Sequence, residues 1–340
     1  MKKRILIAVC ALLAMAILLG LLQALLMPKY RTNPEGALIG EYYAESGGHD
    51  VIFVGDCEVY ESFIPAVLWK EYGISSYVRG SAQQLVWQSY YLLEETFRYE
   101  KPRAVVFNVL SLKYGTPQSE AFNRMTLDGM KWSGSKLRSI YASKTEEESV
   151  ISYVFPLLRY HSRWSDLTKE DWKYLFHRDT VSHNGYLMQT GVKPKTSNIT
   201  GRPLVDYTLP EIGFEYLEKM RLLCEENGTE LILIKAPTND WKYYWYDEWD
   251  AQITAWANEK GVDYYNFIPL ADEIGLDWST DTYDGGVHLN VFGAEKLTSY
   301  FGKILAEKYG ISDRRGDVEL DTVWADKVAI YQKERNGESQ

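Results

Sequence analysis

Unbroken apolar runs alternate with amphipathic stretches along most of this chain. The sharpest run is Val51-Ile52-Phe53-Val54, which stops at Gly55-Asp56-Cys57. A short block of β-branched and aromatic residues ended by a turn signal is the pattern of a strand buried on both faces. Four more strands follow, two of them similar buried runs at residues 104–110 and 231–235 and two short ones at 75–79 and 262–266. Between them the period becomes helical. Pro65 marks the start of a helix ending at Gly73, with one helical turn between it and Cys57. Ser81 is placed to cap the next helix, with Leu85, Leu92, Leu93 and Phe97 at helical spacing. Residues 211–227, 247–260 and the stretch after Asn290, with Leu297, Phe301, Ile304 and Leu305 inward, complete the set. Such alternation predicts a parallel sheet with right-handed crossovers and helices on both faces.

The rhythm breaks between about residues 113 and 202, far longer than an ordinary connection in an α/β unit. This insertion carries its own helical signals. Thr145 with Glu148 spells a capping box ahead of Val150, Ile151, Val154 and Phe155, and Pro156 is expected to kink that helix. Thr168 caps another, with Trp172, Leu175 and Phe176 on one face. A helical lid or substrate subdomain is the expectation. Residues 312–340 are highly charged and read as peripheral.

The first residues change the compartment. Lys2-Lys3-Arg4 precedes an almost purely apolar run from Ile5 to Met27, and roughly 20 apolar residues are enough to cross a bilayer. The basic cluster holds the N-terminus in the cytoplasm. Residues 1–28 are therefore read as a single-pass transmembrane anchor and 29–340 as an extracytoplasmic catalytic domain, with a cleaved signal peptide as the alternative. Composition fits a large ordered core: 46% of the 340 residues are hydrophobic and 14% aromatic. A net charge of -10 without a basic patch argues against a nucleic-acid partner. Cys10, Cys57 and Cys224 make no disulfide framework. Cys10 lies in the apolar leader and Cys224 on a helical face, and a Cys57–Cys224 disulfide is the competing reading for that pair.

Candidate chemistry gathers at two places. Cys57 follows a strand end at the start of helical backbone, where the positive end of the helix dipole favours thiolate. Far along the chain, Asp281-Thr282-Tyr283-Asp284-Gly285-Gly286-Val287-His288-Leu289-Asn290 puts carboxylates and an imidazole on one Gly-rich loop before a capped helix. A general base and its orienting acid need this proximity. The strand ending in Gly-Asp-nucleophile and the late Asp…His-Leu-Asn loop together resemble the SGNH/GDSL hydrolase superfamily. Within it, the N-terminal anchor, the helical insertion and Gly80-Ser81-Ala82-Gln83-Gln84 are most similar to DltD-like cell-envelope proteins. The resemblance covers roughly residues 50–110 and 211–309.

It implies a three-layer α/β/α flavodoxin-like fold, with Cys57 as nucleophile where most members have serine, His288 as general base and Asp284 as its orienting carboxylate. The backbone N–H groups of Cys57 and Gly80 would form an oxyanion hole. Asp284 stands one residue further from His288 than the usual Asp-x-x-His, which leaves Asp281 open as the partner. The third strand lacks the Gly-x-Asn-Asp block, and Asn108 is the nearest oxyanion candidate. The reaction implied is acyl-ester chemistry, O-acyltransfer or hydrolysis, on a cell-envelope glycan, teichoic-type polymer or acylated carrier, with a membrane-bound O-acyltransferase as partner. A catalytically degenerate member that binds polymer or scaffolds an acylation complex is the alternative. No metal spacing or phosphate-cradling loop occurs, so no cofactor is expected. Two aromatic stretches, residues 159–164 and 241–249, have ordinary pairing and packing as their first reading and ligand binding as their second.

Overall fold

The computed structural model describes residues 1–28, 34–45, 48–177, 180–195, 203–239 and 245–337. Five parallel strands form one sheet: β1 (Val51–Gly55), β2 (Ser76–Gly80), β3 (Ala104–Asn108), β4 (Glu230–Lys235) and β5 (Asp263–Asn266). Their spatial order is β2-β1-β3-β4-β5, the doubly wound order of flavodoxin-like folds. β1 pairs with β2 on one side, Val51 opposite Ser76, and with β3 on the other, Val51 opposite Ala104. Because the chain leaves β1 for one neighbour and later returns to the other, a crevice opens at their carboxyl ends.

The alternation within each buried run explains the layers. Val51, Phe53, Ala104, Val106, Ile232 and Ile234 point into one core, and Ile52, Val54, Val105, Phe107, Leu231 and Leu233 into the other. Helices α1 (Lys2–Leu26) and α2 (Pro34–Glu41) precede the sheet. A single turn, α3 (Cys57–Tyr60), leads from β1 to α4 (Pro65–Tyr72). On the first face α4 packs with the long α14 (Val291–Glu307), where Phe53 stacks on Phe63 at 4.7 Å and Phe63 meets Phe301 edge-on at 5.7 Å. On the second face lie α5 (Val86–Thr96), α11 (Glu211–Glu226) and α12 (Asp247–Lys260). A short α13 (Ala271–Ile274) precedes the site loop.

The insertion holds α6 (Glu120–Leu127), α7 (Gly134–Ser143), α8 (Val150–Val154), α9 (Leu157–Tyr160) and α10 (Lys169–Tyr174). Several local expectations change here. Ser81 does not cap α5, because its hydroxyl bonds Gln84 and Thr126 and the helix starts after Leu85. Thr145 N–H does donate to Glu148 at 3.0 Å, but this closes a turn, and α8 begins only after Ser149. Pro156 separates α8 from α9 rather than kinking one helix. Thr168 and Asp171 form the capping box of α10, yet Trp172 and Phe176 face outward. The charged C-terminal stretch is not peripheral. It forms α15 (Val318–Arg335), whose Trp324 stacks on Trp69 of α4 at 5.3 Å and whose Tyr331 is buried. Two aromatic anchors outweigh the surrounding charge.

Candidate active site

The site is built where β1 stops. Gly55 has φ +150, and a side chain there would strike Val59 and press on Asn108. Asp56 then caps the first turn, accepting from Glu58 N–H at 3.2 Å, so Cys57 opens α3. Gly80, paired with Gly55 across the sheet, is tight as well, though less so: a Cβ would lie 3.1 Å from Gly55 O and 3.2 Å from the Tyr60 ring. Two glycines therefore let the ends of β1 and β2 close on the nucleophile turn.

The second half of the site arrives from the loop before α14. Thr282 and Leu289 bridge across its neck, and Gly285 (φ +91) with Gly286 (φ +97) turn the chain back in a conformation that favours glycine. This reversal brings the i,i+4 carboxylate beneath the imidazole. Asp284 Oδ2 accepts from His288 Nδ1 at 2.7 Å while Oδ1 accepts the His288 backbone N–H at 2.9 Å. With Nδ1–H so held, Nε2 faces Cys57 Sγ at 3.1 Å. Asp281, the other open partner, is engaged elsewhere: it accepts from Lys296 Nζ at 2.6 Å and from Asp277 N–H at 2.8 Å. The longer spacing is thus accommodated by the glycine pair.

Sequence reasoning missed several groups that surround this chain of contacts. Glu61 lies 3.7 Å from His288 Nδ1 and accepts from Tyr283 OH, which sits 2.9 Å from each of its oxygens and whose ring stacks over the imidazole. Its place four residues after Cys57, one turn along a helix, was the available signal. Lys235 Nζ is fully buried and donates to both Glu58 oxygens at 2.8 Å. Asn108 donates both amide hydrogens, to Asp56 at 3.0 Å and Glu58 at 2.9 Å, and accepts from Ala236 N–H at 3.1 Å. It is therefore committed to holding the nucleophile turn and has no amide hydrogen left for an oxyanion. Buried polar groups need such partners, but a strand-end Asn does not announce which ones.

A further missed element is the end of the insertion. Gly185 has φ +84, and a Cβ there would sit 1.9 Å from Val78 O, so only glycine lets the chain pass the edge of β2. Beyond it, residues 187–195 lace the site together. Leu187 N–H donates to Tyr60 O at 2.8 Å, Val291 N–H to Gln189 O at 2.7 Å, Lys193 N–H to Thr282 O and Gly285 N–H to Lys193 O at 2.9 Å. Lys195 Nζ reaches Asn239 O, and Gly286 O accepts from Asn239 N–H at 2.7 Å. One extended segment ties the nucleophile turn, the His loop and the end of β4.

Electrostatics reverse one expectation. The Cys57 thiol is pushed up to about 11 by burial, and the neighbouring Asp56 and Glu61 carboxylates add to the push against His288's pull. A four-residue helix contributes little dipole to offset this. Burial also opposes charge on His288, but the Cys57 sulfur, once it has lost its proton, and Asp284 override it and raise the imidazole well above its usual value. Asp284 is desolvated as well, yet its bonds from His288 hold it below the usual carboxylate range. A standing thiolate is penalised, while a proton leaving sulfur finds a well-stabilised seat on Nε2. Alkylation of Cys57 by a small neutral reagent should therefore climb with pH toward about 11, where a free thiol levels off above about 8.5. His288→Ala removes the group that lowers the thiol, so its pH limb should move higher still. Rates that plateau below pH 8, read by intact mass, would overturn this.

The remaining sequence candidates are not drawn to the site. Cys224 is buried and Cys57 partly buried, and both thiols are free, so the disulfide reading is corrected. Arg159 pairs with Glu120 at 3.1 Å, and Arg163 donates to the Leu26 and Met27 carbonyls at 2.9 and 2.6 Å. Of the aromatic stretch 241–249, residues 241–244 lie outside the described residues, while Trp245 packs in the second core and meets Trp249 at 5.6 Å. Among the described residues no group of side chains is arranged to hold a metal ion.

No protein-family model matches this chain, and no curated protein matches its sequence. Solved structures do match. A candidate acylhydrolase from Bacteroides fragilis is 12% identical with a TM-score of 0.38, covering 79% of this chain and 95% of its own. A GDSL-like lipase from Bacteroides thetaiotaomicron, also 12% identical, has a TM-score of 0.37 over the same shares. Similarity this low carries no argument about chemistry, which rests on the contacts described above.

Proposed function

We propose that this chain is a membrane-anchored acyl-transfer or ester-cleaving enzyme whose nucleophile is Cys57. The observation that carries the reading is the continuous line from Cys57 Sγ to His288 Nε2 (3.1 Å) and from Nδ1 to Asp284 (2.7 Å) at the carboxyl edge of a parallel sheet. Nucleophile, base and orienting acid at hydrogen-bond distance are what acyl transfer requires. As Sγ attacks an acyl carbonyl, its proton passes to Nε2 and the S–C bond forms. Collapse breaks the bond to the leaving group, which takes the proton back from His288. Water, or a hydroxyl of a cell-envelope polymer, then attacks the thioester by the reverse route. The oxyanion is met by backbone N–H groups, foremost that of Cys57, since the first N–H groups of a helix have no partner within it, and that of Gly80 at the adjoining end of β2.

The resting site favours a neutral thiol, so Cys57 behaves as serine does in a Ser-His-Asp site, losing its proton during attack rather than before it. α1 is long and apolar enough to span a membrane. Placing the domain outside the cell, with a cell-envelope glycan or teichoic-type acceptor and a membrane-bound O-acyltransferase supplying the acyl group, is the most economical use of that anchor. The test is covalent trapping: the full chain in detergent is mixed with small acyl thioesters and p-nitrophenyl esters and its intact mass is read. An acyl adduct at Cys57, absent in Cys57→Ala and present as an oxygen ester in Cys57→Ser, is expected. No adduct with any donor would sink the enzyme reading in favour of a binding or scaffold protein.

A further inference from the structure

The short helices of the insertion leave an unusual surface. After α1, eighteen large apolar side chains are exposed among the described residues, and seven of them fall within residues 150–176. Phe176 is 90% exposed, Trp164 73% and Trp172 54%, and Ile151, Phe155 and Leu158, in or between α8 and α9, are exposed as well. Soluble domains expose single apolar side chains freely but rarely concentrate them in one segment.

The position of this segment says what covers it. α9, α10 and the 3-10 helix His161–Asp166 are the elements that pack against α1. They meet only its last turns: Leu25 and Leu26 are buried, whereas the apolar stretch from Ile5 to Leu22 stands free of the domain. Arg163 fastens the join, its Nη1 donating to the carbonyls of Leu26 and Met27 at the end of the helix. Eighteen residues at 1.5 Å each make about 27 Å, close to the ~30 Å of a hydrocarbon core. With Lys2, Lys3 and Arg4 at one interface, the other falls where the insertion grips α1. Interfaces are where tryptophan is favoured, its ring in the acyl region and its N–H among the headgroups.

We infer that the exposed apolar face of residues 150–176 is immersed in the lipid interface of the leaflet nearest the catalytic domain. The insertion is then a monotopic collar around the anchor, not a lid over Cys57, and it fixes the domain's height and tilt against the membrane.

This inference rests on α1 being a true span, and one preparation tests both. α1 contains no tryptophan, so bromine on lipid chains quenches only tryptophans that the domain itself brings into the bilayer. The full chain is placed in phosphatidylcholine nanodiscs with and without brominated acyl chains. Co-elution with the discs reports the span. Bromine-dependent quenching of tryptophan emission reports the collar, and most of it should disappear in the Trp164→Phe/Trp172→Phe variant, whose exposed positions tolerate the change. Co-elution without quenching, or quenching that the double variant retains in full, would overturn the collar while leaving the anchor intact; a protein partner would then be what covers this face. Failure to enter the discs would overturn both.

Discussion

Replacing His288 with alanine is expected to slow acylation of Cys57 by about 100- to 10,000-fold, the range for loss of a positioned general base. The reason is specific to this site. Burial and the adjacent Asp56 and Glu61 carboxylates hold the thiol up, so little thiolate exists at neutral pH without the imidazole. Asp284→Asn should also be slow, because an amide in place of the carboxylate no longer favours the Nδ1–H tautomer and no longer stabilises the imidazolium. The check is the single-turnover rate of adduct formation by intact mass, with parent and variants at the same pH. A His288→Ala rate within tenfold of the parent would show that the 3.1 Å contact is structural.

The second large effect is on stability. Lys235→Met should lower unfolding free energy by roughly 3–5 kcal/mol, the cost of removing one partner from a buried pair. Lys235 Nζ is fully buried and makes both of its carboxylate contacts with Glu58, itself buried one residue beyond the nucleophile. Without the ammonium, Glu58 keeps the Asn108 hydrogen bond and the more distant charge of Lys113, and Asp56, already raised by burial and by Glu58, is pushed further up. Adding Glu58→Leu should recover much of the loss, since replacing both charges by apolar groups is often nearly neutral. Urea unfolding of the full chain in detergent, followed by tryptophan emission, measures both. A cost under 1 kcal/mol for Lys235→Met would mean that the pair is wet.

The two predictions separate chemistry from scaffolding. His288 should alter rate with little effect on unfolding, whereas Lys235 should alter unfolding first. Activity lost in Lys235→Met would be recovered with stability if the pair only supports the turn. If activity stays low after stability returns in the double variant, the charges around Asp56 and Glu58 also set the thiol.

The sequence by itself determined the sheet and its ends. The three central strands were legible because a strand buried on both faces must be largely apolar, and Val51–Gly55, Ala104–Asn108 and Glu230–Lys235 each contain such a run. The edge strands Ser76–Gly80 and Asp263–Asn266 were marked instead by their aromatic and β-branched residues between turn signals. It also singled out Cys57, Asp284 and His288, since a Gly-Asp turn after a strand and an Asp-Gly-Gly loop before a capped helix are local patterns. Tertiary structure alone decided which carboxylate serves the imidazole, because Asp281 and Asp284 differ only in what Lys296 and the glycine turn place beside them. It decided that Asn108 braces the turn, that Lys235 in mid-sequence neutralises Glu58 of a distant strand end, and that residues 187–195 bind the halves of the site together. It also reversed the sign of the thiol's shift, which depends on burial and on carboxylates gathered from several elements rather than on the helix start. Local pattern encodes secondary structure because the periodicity is local. Partners, burial and charge balance are set by groups tens to hundreds of residues apart, and only folding brings them within a few ångströms.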